Sequence, residues 1–149
     1  MTSGTWVVLI ALVLAVAFGL YRAAVDGRFR GTHRVRAAVE APTGEPEDGS
    51  ILEGTEWAGR LGARATLLQF SSAFCAPCRT TRQILADVAS RDDGVTHIEV
   101  DAEGHLDLVR RLGIMRTPTT LILNAAGHEV VRASGAPKRE QVLEALASL

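Results

Sequence analysis

The hydrophobic and polar positions divide the chain into an apolar start, a polar middle and a regularly patterned C-terminal part. Trp6 to Leu20 is apolar throughout, and no charged side chain occurs in residues 1–21. About 20 uncharged residues suffice to cross the roughly 30 Å hydrocarbon core of a bilayer as a helix. A buried core helix and a cleaved signal peptide are the alternatives, but a signal peptide would carry basic residues before the apolar run. The pattern predicts an uncleaved transmembrane anchor over residues 1–21, bound to the lipid bilayer.

The polar middle, residues 22–50, has no hydrophobic period. Residues 22–36 hold five arginines and one aspartate, whereas residues 40–56 hold six acids and no base. Residues 41–50 are rich in proline, glycine and acidic side chains, a composition typical of a flexible connection. We therefore expect a charged flexible linker over 22–50.

From residue 65 onward, short apolar runs alternate with amphipathic stretches at helical spacing. The predicted strands are 65–70, 95–100, 119–123 and 128–133, and the predicted helices are 77–90, 106–112 and 138–149. Asn124 to Gly127 has the signature of a hairpin turn. The order β-α-β-α-β-β-α predicts an α/β domain with a mixed central sheet flanked by helices. The domain is expected over 51–149 with its core at 65–149, and residues 51–63 form either an amphipathic turn around Trp57 and Leu61 or more linker.

The composition limits the kinds of function that the chain can have. The 149 residues carry a net charge of −1, which gives no indication of nucleic-acid binding. The two cysteines are too few for a disulfide scaffold or for a closed four-ligand zinc site, so no metal is expected. Both lie in the segment Phe74-Cys75-Ala76-Pro77-Cys78, where a strand gives way to a helix. Backbone N–H groups and the helix dipole stabilise a thiolate there, which indicates redox chemistry.

These features together resemble the thioredoxin fold. Cys75 and Cys78 follow the first strand, and Thr117-Pro118 precedes the third strand, as in thioredoxin-like proteins. The resemblance implies a thiol–disulfide oxidoreductase in which Cys75 attacks a substrate disulfide and Cys78 resolves the mixed disulfide. It also implies that Pro118 is cis and that the backbone of Thr117 pairs with the substrate. The redox-active disulfide would need no other cofactor, only a protein or small-molecule disulfide substrate and a thiol electron donor.

The residues around the cysteines modify this expectation. Pro77 fixes φ in the first turn without removing an intrahelical hydrogen bond, and Arg79 adds positive charge that favours a thiolate. Phe74 stands where thioredoxins proper have tryptophan. The Ala76-Pro77 dipeptide lacks the histidine of strongly oxidising relatives, so we expect a reductase.

One departure leaves the proton acceptor for Cys78 open. The buried aspartate of thioredoxins corresponds to Gln69, six residues before Cys75, and an amide cannot accept the proton. His97 lies where the partner lysine of that aspartate is found, and an imidazole titrates in the required range. His97 is therefore a candidate proton acceptor, and an imidazole with no role at the strand edge is the alternative.

Two other functions and the location stay open at this point. Thiolates suit Cu(I), so Cys75 and Cys78 could hold that ion with Met115 as a third soft ligand, and a redox-inactive recruitment domain is a further alternative. The arginines after residue 21 favour a single-pass protein of the cell membrane with its catalytic domain in the cytoplasm. An extracytoplasmic domain remains the other possibility, because disulfides persist on that side.

Overall fold

The structure, a computed structural model, describes residues 3–25, 29–31 and 49–149. The helices are α1 (Ser3–Val25), α2 (Ala76–Ala89), α3 (Leu106–Arg111) and α4 (Arg139–Ala147), and the strands are β1 (Phe29–Gly31), β2 (Ala65–Ser71), β3 (Val95–Asp101), β4 (Thr119–Asn124) and β5 (Glu129–Ser134). From Ala65 onward the predicted order of strands and helices is confirmed. Each boundary lies within two residues of its predicted position.

The strands form one mixed sheet in the order β1-β5-β4-β2-β3. The strand β2, between β4 and β3, is fully buried, and it runs parallel to β3 and antiparallel to β4. In this register Ser71 lies beside Asp101, and Phe70 lies beside Thr119. The carboxyl ends of β2 and β3 and the beginning of β4 therefore meet at one edge of the sheet.

The two faces of β2 carry two separate hydrophobic clusters because successive side chains of a strand point to opposite sides. Leu68 and Phe70 pack with Leu108 of α3, whereas Ala65 and Leu67 pack with side chains of α2 and α4. The mixed sheet is thus covered by helices on both faces, as its predicted fold class requires.

Residues 49–62 form a series of turns that belong to the domain. Leu52 is fully buried and Trp57 is 6% exposed, and both pack in the cluster with Leu68 and Phe70. The backbone N–H of Ile51 donates to the carbonyl of Gly127 in the β4–β5 turn, at 3.1 Å. Of the two possibilities that the sequence left open for 51–63, the packed turn is the one observed.

The strand β1 was not predicted. It lies within residues 22–50, the predicted linker, and pairs antiparallel with β5, Phe29 opposite Ala133. An outer strand presents unpaired N–H and C=O groups that readily accept a further strand, and this explains how three residues without a hydrophobic period join the sheet. Apart from residues 22–25, 29–31 and 49–50, the predicted linker lies outside the described residues.

The helix α1 spans 23 residues and covers most of the predicted anchor. Its large apolar side chains are exposed, with Trp6 58% and Tyr21 65% accessible. Over the ranges that the structure describes, none of the helices has the length and apolar character needed to cross a membrane. The transmembrane helix predicted for residues 1–21 is therefore not shown.

Gly62 is expected to be essential for the close packing of the turn segment against the sheet. A Cβ atom at this position would clash with the carbonyl of Ala65 and lie 2.8 Å from both Gly94 O and Thr96 N, which are backbone atoms that cannot rotate away. Gly62→Ala should lower the free energy of unfolding by about 1–3 kcal/mol in urea denaturation. Gly59→Ala is the matched control, because no atom lies within 4 Å of its added Cβ. Equal stability of the two variants would contradict the close approach.

Candidate active site

The first turn of α2 is built around the two cysteines. Cys75 is the N-cap residue, with φ −90° and ψ 96°, and Pro77 occupies the first turn. The backbone N–H of Cys78 donates to Cys75 Sγ at 3.1 Å. The first N–H groups of a helix lack intrahelical partners and carry the positive end of the helix dipole. The Cys75 sulfur therefore lies where negative charge is stabilised.

Cys75 and Cys78 form a disulfide, with their Cα atoms 5.2 Å apart. Cys75 is half-buried, whereas Cys78 is 2% exposed. Both cysteines line a surface pocket of about 480 Å³, together with residues from the end of β2, from α2 and from β3. The geometry leaves Cys75 as the sulfur that an incoming disulfide reaches first.

The loop before β4, which ends at Thr117-Pro118, lies beside residues 72–75, the loop between β2 and α2 that ends at Cys75 and is called the cysteine loop below. The hydroxyl groups of Ser72 and Thr117 are 3.0 Å apart and share a hydrogen bond. The Thr117-Pro118 peptide bond is cis, the isomer that the resemblance implies. Pro118 is buried, and its carbonyl accepts a hydrogen bond from the N–H of Gly135 at 2.8 Å. The structure thus brings together the two segments that the sequence named as the site.

The residues around this pair of loops are largely exposed. Phe74 is 98% accessible and Met115 is 91% accessible. Ala76 and Arg79 are exposed on the first turns of α2, and Arg79 also lines the pocket with the cysteines. Among the described residues, no group of three or more His, Cys, Asp or Glu side chains could hold a metal ion.

Gln69 is the centre of a buried hydrogen-bond network beneath the cysteines. Its side chain is fully buried, and Nε2 donates to the carbonyl of Cys78 at 3.0 Å and to Ser71 Oγ at 2.8 Å. Its Oε1 lies 3.2 Å from His97 Nε2. Since both amide hydrogens are used, Oε1 is the acceptor, and His97 Nε2 must donate. The structure therefore places His97 against Gln69, and the amide separates the imidazole from Cys78.

The sequence did not single out Glu99, which belongs to the same network. Glu99 is the direct neighbour of Gln69 in the β2–β3 register, and its Oε1 accepts from Ser71 Oγ at 2.6 Å. Arg82 binds both carboxylate oxygens, with Nε 2.6 Å from Oε2 and a terminal nitrogen 2.8 Å from Oε1. The alternation of β3 offered a signal, since Glu99 lies two residues after His97 and shares its face of the strand.

Burial and charge shift the ionisation of this network. Burial alone would raise the pKa of Glu99, but hydrogen bonds from Arg82 and Ser71 and the positive charge of Arg82 hold that pKa below its usual 4.5. Burial lowers the pKa of His97 below 6.5, although the charge of Glu99 opposes the shift. At neutral pH the network therefore holds an ionised Glu99 and a neutral His97.

The lowered pKa of His97 predicts that stability falls on acidification. Between its folded-state pKa and 6.5, the unfolded chain binds a proton that the folded protein does not. The free energy of unfolding should therefore decline as the pH drops below 6.5. Glu99 contributes only below 4.5. Urea denaturation between pH 8 and pH 5 checks this, and His97→Gln should flatten the slope. His128→Gln, at an exposed position, is the control, and an unchanged slope in His97→Gln would contradict the assignment.

Comparisons with known proteins agree with this geometry. A model of the thioredoxin family matches residues 50–148. The thioredoxin of Alicyclobacillus acidocaldarius is 32% identical over 89 residues, which cover 59% of this chain and 84% of that protein. Thioredoxin domain-containing protein 2 of Homo sapiens is 36% identical over 58 residues, 39% of this chain, and Thioredoxin H2-1 of Oryza sativa is 29% identical over 77 residues, 52% of this chain. The chain spans only 10% of the human protein's length and 55% of the rice protein's length.

Solved structures show the same fold. Fasciola hepatica thioredoxin superposes with a TM-score of 0.53 at 22% identity, covering 60% of this chain and 85% of the other. The reduced thioredoxin pre-protein of Schistosoma mansoni gives a TM-score of 0.52 at 19% identity, covering 60% of this chain and 83% of the other. With a paired Cys75 and Cys78 at the start of α2 and a family match over most of its length, the chain belongs to the thioredoxin family.

Proposed function

We propose that this protein reduces disulfide bonds of protein substrates through a dithiol–disulfide cycle of Cys75 and Cys78. The observation that carries the proposal is the asymmetry of the pair. Cys75 is the accessible N-cap sulfur and receives the N–H of Cys78, while Cys78 is buried behind it. An exposed, stabilised thiolate attacks, and a shielded thiol next to it resolves.

The cycle balances in two steps. In the reduced protein the Cys75 thiolate attacks one sulfur of the substrate disulfide, a new S–S bond forms to Cys75, and the other substrate sulfur leaves and takes a proton. Cys78 then loses its proton and attacks Cys75 Sγ, which releases the second substrate sulfur as a thiol. The substrate gains two electrons and two protons, and the pair becomes a disulfide. A thiol electron donor of the kind that the family uses reduces the disulfide again, and no further cofactor takes part.

The surface around Cys75 supports a polypeptide substrate. Thr117 and Pro118 lie next to the cysteine loop through the Ser72–Thr117 contact, so the proposed pairing of the Thr117 backbone with a substrate would place that substrate at Cys75. Phe74 and Met115 expose nearly their whole side chains on the two loops. When a partner covers apolar side chains that are exposed to water, the free energy of the complex falls, so such side chains at a reactive site favour binding of a partner with apolar groups. The positive charge of Arg79 adds to the stabilisation of the Cys75 thiolate.

We further propose that the oxidoreductase domain is tethered to a membrane by residues 1–21. The support comes from the sequence, which has an uninterrupted apolar run from Trp6 to Leu20. The exposed large side chains of α1 also lack cover in the described part of the chain. The arginines that follow favour a cytoplasmic catalytic domain in a single-pass protein of the cell membrane, with their charges near anionic headgroups.

A turnover assay tests the redox proposal against the Cu(I) alternative. The purified full chain, kept in detergent, is expected to catalyse the reduction of insulin disulfides by dithiothreitol for many turnovers. It should prefer insulin to a small disulfide such as that of glutathione, which has no large apolar side chains to cover Phe74 and Met115. Stoichiometric Cu(I) binding without turnover would instead support the metal-handling function. If the protein shows neither turnover nor Cu(I) binding, a redox-inactive recruitment domain is the function that is left.

A separate experiment tests the tether. The protein is expected in the membrane fraction after an alkaline carbonate wash, and removal of residues 1–21 should release it. A reporter that is active only in the cytoplasm, fused after Leu149, should be active. Recovery of the full chain in the carbonate supernatant would refute the tether, and activity only of an exported reporter would reverse the orientation.

A further inference from the structure

The active site keeps a carboxylate although the buried acid of the family is absent. The residue at that acid's position is Gln69, which is neutral. Its direct neighbour across the β2–β3 pair is Glu99, and Ser71 links the two side chains through hydrogen bonds of 2.8 and 2.6 Å. The negative charge near Cys78 is therefore supplied by the adjacent strand.

Glu99 is held in one position on the wall of the cysteine pocket. It lines the pocket together with Cys75, Cys78 and Arg82. Three hydrogen bonds or ionic contacts, one from Ser71 and two from Arg82, hold its carboxylate. A bidentate pair of this kind has fixed geometry. The guanidinium of Arg82, one turn of α2 beyond Cys78, is thereby kept against Glu99.

Other charged groups lie near the cysteines, and the effect of Glu99 on the sulfurs has to be compared with theirs. On α2, Arg79 also lines the pocket and is exposed. On β3, Asp101 lines the pocket but is exposed, and His97, neutral at pH 7, contacts Gln69. Glu103 accepts from the N–H of Ala73 at the outer edge of the cysteine loop, at 3.4 Å. Exposed charges are screened by water and salt. Arg82 is itself 54% exposed, whereas Glu99 is 24% exposed, so the Glu99 carboxylate is the charge of this group that acts on the sulfurs most strongly.

We propose that Glu99 is the positioning residue that keeps the Cys75–Cys78 pair reducing. Its carboxylate binds the guanidinium of Arg82 and offsets the positive charge of that residue, and it adds a fixed negative charge to the wall of the pocket. Both effects disfavour the thiolate forms of the reduced pair, and a reduced state with less stable thiolates gives up its electrons more readily. The inference rests on the proposed function, since it explains how a pair without the family's buried acid acts as a reductant.

Substitution of Glu99 should shift the pair toward an oxidant. Glu99→Gln keeps the shape of the side chain, and its one remaining oxygen can still accept from Ser71 and from one nitrogen of Arg82. The negative charge is lost, and the charge of Arg82 is left uncompensated. The pKa of the Cys75 thiol, measured by thiolate absorbance or alkylation rate, should fall by about 0.5–1 unit. The equilibrium constant for oxidation of the cysteine pair by glutathione disulfide should fall by about 3- to 10-fold.

The opposite sign is expected at Arg82. Arg82→Gln removes the positive charge and leaves Glu99 uncompensated in the pocket. The pKa of the Cys75 thiol should therefore rise by about 0.5–1 unit, and the equilibrium constant for oxidation of the pair should rise by about 3- to 10-fold. In the double variant the two effects should largely cancel. A purely structural role would move both single variants in the same direction, because each breaks the same ion pair.

The ion pair between Glu129 and Arg132 provides the matched control. It joins the same residue types, with distances of 2.8 and 2.7 Å, at the other end of the sheet, where Glu129 pairs with Leu123. Glu129→Gln and Arg132→Gln should leave the thiol pKa and the oxidation constant unchanged. Shifts of equal sign at Glu99 and Arg82, or shifts no larger than the controls, would overturn the proposal. Because both readouts need no substrate protein, they stand apart from the insulin assay, whose failure would count against the proposed function alone.

Discussion

Replacing Cys75 with serine is expected to lower kcat/KM for insulin reduction by at least about a thousandfold, because a serine hydroxyl is not ionised near neutral pH and cannot attack a disulfide. The fold should be preserved. Serine is a preferred N-cap residue, and its hydroxyl can accept the Cys78 N–H that Cys75 Sγ accepts in the structure. The loss can therefore be assigned to chemistry and not to unfolding.

The measurement compares the variant with the wild-type protein in the dithiothreitol-coupled assay. Far-ultraviolet circular dichroism and urea denaturation serve as controls for folding. Ala76→Ser is a matched control substitution on the same turn, since Ala76 is exposed and its side chain carries no thiol. Turnover by Cys75→Ser within tenfold of wild type would contradict the assignment of Cys75 as the attacking nucleophile.

Replacing Cys78 with serine should arrest the reaction after its first step. Cys75 remains able to attack, so a mixed disulfide with the substrate should form at close to the wild-type rate. Without a second thiol the intermediate is not resolved, and steady-state turnover should fall by at least about a hundredfold. Non-reducing electrophoresis and mass spectrometry would show one substrate chain attached at Cys75.

The complementary variant provides the control for this trap. In Cys75→Ser the remaining thiol, Cys78, is 2% exposed, and it should not accumulate a mixed disulfide on the same timescale. Equal trapping at Cys78 would reverse the two roles. Trapping in neither variant would refute attack on protein disulfides.

Much of the domain could be predicted from sequence because its elements have clear periods. β2 is a short and mainly apolar run, and α2 is amphipathic beyond Cys78, so their order and bounds follow from local patterns. The turn segment 49–62 lacks any period, and its burial depends on Leu52 and Trp57 reaching a distant cluster. β1 depends on pairing with β5 along a free edge, which no local signal in residues 29–31 encodes.

The candidate site was predictable to the same extent. The spacing of Cys75 and Cys78 and the position of Thr117-Pro118 are properties of the sequence, and the fold brings the two segments together. The role of Glu99 depends on the β2–β3 register and on the reach of Arg82 from α2. Sequence reasoning selected His97 because an imidazole titrates near neutral pH, whereas the structure shows an amide between it and Cys78.

A single-turnover reaction of the reduced full chain with excess insulin, quenched with acid and analysed by mass spectrometry, measures the proposed cycle most directly. For each molecule of protein, we expect loss of two hydrogens as the Cys75–Cys78 disulfide forms and the appearance of two new thiols on insulin. The mixed disulfide at Cys75 should appear first and then decay. Formation of the protein disulfide without new insulin thiols, or release of thiols while Cys75 and Cys78 stay reduced, would show that the pair does not pass its electrons to protein disulfides.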